Sequence, residues 1–182
     1  MTATLFTPLK HVAHAVGKGL IAGLAGTIAI TVSQMIEMQI TKRGLSNAPV
    51  KVGGDVLGVE PKGLAEQEKE KHQSESGKSS AVTKEQVETN EQRFSQLMHY
   101  GYGSGWGVAR GALDLAGVRD LPASILHFGA IWGTALVMLP AAGASEPVTK
   151  WTPKQIAIDI VHHAVYAIAA GVVYDGMVKA GK

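Results

Sequence analysis

The chain has 182 residues, 46% of them apolar, a formal net charge of +2 and no cysteine. Without cysteine there are no disulfides, thiolate metal sites or cysteine nucleophiles. No basic stripe interleaved with aromatics lies along an exposed helix, which sets nucleic-acid partners aside. The apolar residues are gathered into long blocks around one very polar block, so the mild mean hydropathy averages unlike parts.

Four stretches, approximately 18–40, 95–117, 121–143 and 155–178, reach the roughly 20 residues needed to cross a hydrocarbon core about 30 Å thick. The expected fold is all-α: a polytopic membrane protein, a four-transmembrane-helix bundle with a long polar loop between helices 1 and 2. Residues 1–41 carry an amino-terminal segment and the first span, 42–93 form the polar, partly disordered loop, and 94–182 carry spans two to four. A soluble bundle with apolar core helices is the competing reading of the same blocks.

The first span, "GLIAGLAGTIAITVSQMIEMQI", follows Lys10 and Lys18 and so imitates a secretion signal. Gln34 and Glu37 succeed it where a small-residue cleavage site would stand, and it reads as a retained helix. The loop centre, "EQEKEKHQSESGKSS", buries too little apolar surface to fold alone. Disorder is expected over 63–82, then a helix from Thr83, where "TKEQ" has capping-box spacing. In "SNAPVKVGGDVLGVEP", Val50, Val52, Val56 and Leu57 between two prolines suit a short segment on the membrane surface.

The second span, "FSQLMHYGYGSGWGVARGALDLAG", is rich in glycine and contains Arg110 and Asp114, which are costly against lipid. It can span only inside a bundle. "LPASILHFGAIWGTALVMLPAAG" has no charged residue, and the short turn at 117–120 makes it the return arm of a helical hairpin. Lys42, Arg43, Lys51, Lys84, Arg93, Lys150 and Lys154 flank spans on the loop side, against Lys10, Lys18, Arg119, Lys179 and Lys182 opposite. Positive-inside counting therefore favours a cytoplasmic loop and external termini.

At 100° per residue, Asp159, His162, His163 and Tyr166 share one arc of the last helix, while Val161, Val165, Ile168 and Val172 take the other. Gly19, Gly23, Thr27, Gln34 and Glu37 form the matching polar stripe of the first helix. Gly103, Gly107 and Gly111 repeat every fourth position, as do Gly19 with Gly23 and Gly129 with Gly133. Such glycine-zipper surfaces let helix backbones approach closely in lipid.

Counted at about 1.5 Å per residue, Glu37, His99, Asp159, His162 and His163 lie roughly 5–14 Å from the loop-side boundary and could converge with Tyr166. Arg110, Asp114 and His127 form a second buried polar group in the far half, with Asp114 expected to neutralise Arg110. Asp159 and His162 have the i, i+3 spacing of carboxylate–histidine metal ligands in bundles, with Glu37 and His99 as companions. Only one such element occurs in the spans, and "HVAH" near the amino terminus lacks a carboxylate. Facing axial histidines for haem are not evident, and the expectation is no cofactor.

Intramembrane Asp, Glu, His and Arg equally mark proton or ion paths, although inverted repeats are not visible and such a path would need an oligomer. The plainest reading has these side chains hydrogen-bond across helices in a structural or accessory protein. The lipid bilayer is then its main partner, beside a homo-oligomer or larger membrane complex. No nucleophile elbow, phosphate loop or His-Glu-x-x-His motif signals an enzyme.

"GLIAGLAGTIAITVSQMIEM", "HYGYGSGWGVARGAL", "LPAAG" and "DIVHHAVYAIAAGVVYD" together resemble small uncharacterised bacterial inner-membrane proteins of a four-span type. The resemblance covers the spans and not the linker at 63–92. It implies a helical bundle in a bacterial inner membrane and carries no activity or site residue.

Overall fold

The structure is a computed structural model in which residues 3–44, 48–59, 61 and 84–181 are described. The expected disorder over 63–82 and the helix start at Thr83 lie outside the described residues. Five α-helices and one 3-10 turn, and no strand, occur among them: α1 (Ala3–Thr41), α2 (Ala48–Leu57), α3 (Lys84–Leu115), α4 (Asp120–Ala141), the turn at Val148–Lys150, and α5 (Pro153–Ala180). Contacts divide the chain into two units. The first holds Met1–Leu45, Tyr100–Val137 and Pro147–Lys182, and the second Ser46–His99 and Met138–Glu146.

Three helices are long and apolar enough to cross a membrane, over Leu9–Thr41, Asp120–Ala141 and Pro153–Ala180. The polar first half of α3 and the glycines and charges of its second half keep it out of that set. The first unit is a membrane helical bundle whose burial pattern inverts that of a soluble protein. On α1 the small or polar Ala15, Ala22 and Thr27 are buried, whereas Leu20, Ile21, Leu24, Ile28 and Val32 are exposed. In water such a surface would drive aggregation; in hydrocarbon it is the solvated face.

Close backbone approach sets the α1 to α3 seam. A Cβ added to Gly19 would stand 2.5 Å from the Gly107 carbonyl oxygen, one on Gly23 2.5 Å from that of Ser104, and one on Gly111 2.5 Å from that of Ala15. Residues 15, 19 and 23 thus oppose 111, 107 and 103, and the two helices run antiparallel. On α4 the buried face is Ala123, His127, Ile131 and Ala135, one residue per turn, and it packs against α5. Gly129 and Gly133 lie elsewhere on α4, where an added Cβ would meet nothing within 4 Å.

The core of the unit collects Ala22 and Ile30 of α1, Ile131 of α4, and Tyr166, Ala170 and Tyr174 of α5, with Trp106 of α3 against them. The helix ends are chemically defined. After α3, Gly117 at φ 83° allows the Val118 N–H to reach the Leu113 carbonyl at 2.8 Å and the Gly117 N–H that of Asp114 at 2.9 Å, a Schellman stop that begins the reversal into α4. Thr152 caps α5 in a reciprocal pair with Gln155, followed by Pro153 in the first turn, an arrangement worth about 1 kcal/mol.

In the second unit the sequence 46–61 contains a true helix, α2. Its Val52 is buried with Val87 of α3, and Gly53 sits where a Cβ would fall 2.7 Å from the Phe94 ring. The Lys51 ammonium donates to the Gly143 carbonyl at 2.8 Å.

Candidate functional site

The polar side chains of the first unit form two groups. In the group toward the α1 carboxyl end, His162 of α5 is buried, its Nδ1 2.8 Å from the Ser33 hydroxyl of α1 and its Nε2 3.9 Å from Glu37 Oε2. Glu37 is already occupied: it accepts from the Thr41 hydroxyl at 2.7 Å and from Arg43 Nε and Nη2 at 3.2 and 2.8 Å. The buried His162 Nε2 has no hydrogen-bond partner.

Asp159, one turn earlier on α5, turns toward α4 instead, where the Trp132 indole N–H donates to its Oδ2 at 2.8 Å. His163 bonds within its own helix, Nδ1 donating to the Asp159 carbonyl at 2.9 Å. Asp159 and His162 therefore address different helices rather than one common point. Among the described residues no group of three or more His, Cys, Asp or Glu is placed to hold a metal ion. His99 belongs to the second unit.

The other group lies toward the chain termini. Arg110 of α3 is fully buried, and its Nη2 is ion-paired with Asp175 of α5. Its guanidinium also stacks on the Tyr174 ring, 4.8 Å from the centroid, a cation–π contact that strengthens when desolvated. Asp114, expected to neutralise Arg110, is engaged elsewhere: it accepts from Arg119 Nε at 2.6 Å and from the Tyr174 hydroxyl at 3.1 Å. On one helix an i, i+4 pair of Arg then Asp is poorly oriented, and the carboxylate of a facing helix takes its place.

His127, also fully buried, places Nε2 2.9 Å from the Trp106 carbonyl. Tyr166 crosses the bundle to donate its hydroxyl to the Gly103 carbonyl at 2.5 Å. Gly26 leaves room for that ring, since a Cβ there would stand 2.8 Å from it.

Ser33, Trp132, Tyr174 and Asp175 are thus the site members that sequence reasoning did not single out. Asp175 had one available signal: it shares a helix face with Gly171 and Ala167, both buried. Comparison of the chain with protein-family models, with curated proteins and with solved structures finds no match. Function is therefore argued from the site alone.

Proposed function

We propose that this is a four-span protein of the bacterial inner membrane with a structural or accessory role, its long loop on the cytoplasmic side. One observation carries the reading: the polar groups inside the bundle join one helix to another. Arg110 with Asp175 joins α3 to α5, Trp132 with Asp159 joins α4 to α5, and Ser33 with His162 joins α1 to α5. Interhelical hydrogen bonds of this kind fix packing where lipid offers no hydrophobic drive. The second half of α3 supplies the fourth span, because Arg110 is completely buried and its flanking glycines lie on α1. Lys and Arg at the loop side support the orientation.

A second reading, proton or ion translocation through an oligomer, draws on one feature, the unpartnered imidazole nitrogens of His127 and His162. A metal-binding role gains nothing from the geometry, since Asp159 and His162 diverge.

Stability and flux separate the two. In the structural reading, Asp175→Leu leaves a buried guanidinium unpaired and costs about 3–5 kcal/mol, measured by unfolding in detergent, and proteoliposomes of the native protein carry no proton current. A current abolished by His162→Gln with the fold intact would replace this reading with translocation. For orientation, cysteine in place of exposed Glu88 should resist an impermeant thiol reagent in intact cells, while cysteine in place of Gly181 should react. The reverse pattern would invert the topology.

A further inference from the structure

We propose that Arg110 and His127 enclose a pocket that binds a small neutral hydrogen-bonding ligand, water in the resting protein, reached from the side of the chain termini. Both side chains are fully buried, yet Arg110 Nε and Nη1 and His127 Nδ1 have no hydrogen-bond partner. Buried polar atoms left in this state are costly, and internal water is their usual remedy.

The tautomer of His127 defines the ligand. Its Nε2 lies against the Trp106 carbonyl, which can only accept, so Nε2 carries the proton. A second positive charge in the ring would be expensive in this interior, where the Arg110 guanidinium already acts electrostatically on His127. The ring is neutral, and Nδ1 is a bare acceptor. The pocket therefore offers guanidinium N–H donors on one side and one acceptor on the other.

A water that accepts from Arg110 and donates to Nδ1 satisfies both. An anion satisfies only the guanidinium and faces the Nδ1 lone pair. It would also add a negative charge to a neutral set, because Arg110 and Arg119 already balance Asp175 and Asp114.

Access follows from the walls. Toward the loop side the pocket is closed by Tyr166, 3% exposed, pinned by its hydroxyl to Gly103 and with its ring 5.8 Å from that of His127. Toward the termini it is bounded by Asp175 and Asp114, whose side chains keep 21% and 16% of their surface exposed. A water can therefore exchange with that side and not with the other.

The first test needs no substitution. In the native protein, labelled with nitrogen-15 and held in lipid nanodiscs, magnetisation should pass from water to the Arg110 Nε–H. Its absence overturns the proposal. Crystals grown in bromide should show no anomalous peak between Arg110 and His127, and a peak there would make the ligand an anion and overturn the neutral assignment. The chain lacks native cysteine, so the route can be probed with Ala123→Cys and Ala135→Cys, one on each side of His127 along the same buried face of α4. With a small charged thiol reagent on the terminal side of sealed vesicles, Ala123→Cys should react roughly tenfold faster or more, because thiolate forms in a hydrated setting and is suppressed in an apolar one. Equal rates would overturn the access route.

Discussion

Two sets of glycines with the same four-residue spacing have opposite surroundings. Along the seam of α1 and α3, a Cβ added to Gly19, Gly23, Gly103, Gly107 or Gly111 would collide with the opposing helix, while one on Gly129 or Gly133 of α4 would meet open space. Spacing fixes that two glycines share a face. What that face meets is decided by the neighbouring helix, and the polar side chains determine which neighbour is brought near. On α4 it is His127 that turns inward, to the Trp106 carbonyl, and Gly129 and Gly133 are carried outward by the same rotation.

Gly107→Leu should have the largest effect. Even its Cβ would stand 2.6 Å from the Gly23 nitrogen, and backbone cannot yield as a side chain can, so a loss of about 3 kcal/mol or more is expected, at or above the upper end of overpacking costs. Unfolding in detergent at native-like stability would dissolve the distinction between the two sets.

Gly103→Ala should cost less, about 1–2 kcal/mol in the same assay, because the obstacle is the Thr27 side chain. That side chain is nevertheless buried and holds a 2.7 Å hydrogen bond to the Gly23 carbonyl. Thr27→Ser, which shortens the obstacle, should recover part of the loss, and failure to do so would place the strain elsewhere.

Gly129→Ala should reverse the sign and stabilise by about 0.5–1 kcal/mol, the ordinary gain on replacing glycine within a helix. If it destabilises instead, that face of α4 is covered in the membrane by something other than lipid.

Three spans were legible from apolar runs alone, because a helix 22 residues long with no charge between Asp120 and Ala141 has few other uses. The inward direction of Arg110 was legible as well, since a guanidinium in hydrocarbon must be enclosed. Its partner was not. Period shows which residues share a face, and Asp114 lies one turn from Arg110, but the choice between Asp114 and Asp175 depends on the rotation of α5 about its own axis, which no single-helix pattern contains. The same gap applies to DIVHH: one arc was assigned to Asp159 and His162, yet the arc is wide enough to face α4 at one edge and α1 at the other. Ser33 and Trp132 carried no signal at all, being ordinary residues for a span and its interface.

The ion pair between Arg110 and Asp175 joins positions 65 residues apart, and this has a consequence for biogenesis. Synthesis delivers the arginine well before its counter-charge, with all of α4 in between. While α5 is still unmade, the second half of α3 carries a guanidinium with no carboxylate from a facing helix, and settling it in hydrocarbon alone is unfavourable. The hairpin of α3 and α4 must therefore wait in a sheltered or interfacial position until the last helix arrives, so that the carboxyl-terminal segment completes insertion as well as packing. A chain stopped at Pro147 should leave α3 extractable from the membrane, though α1 and α4 are apolar enough to remain.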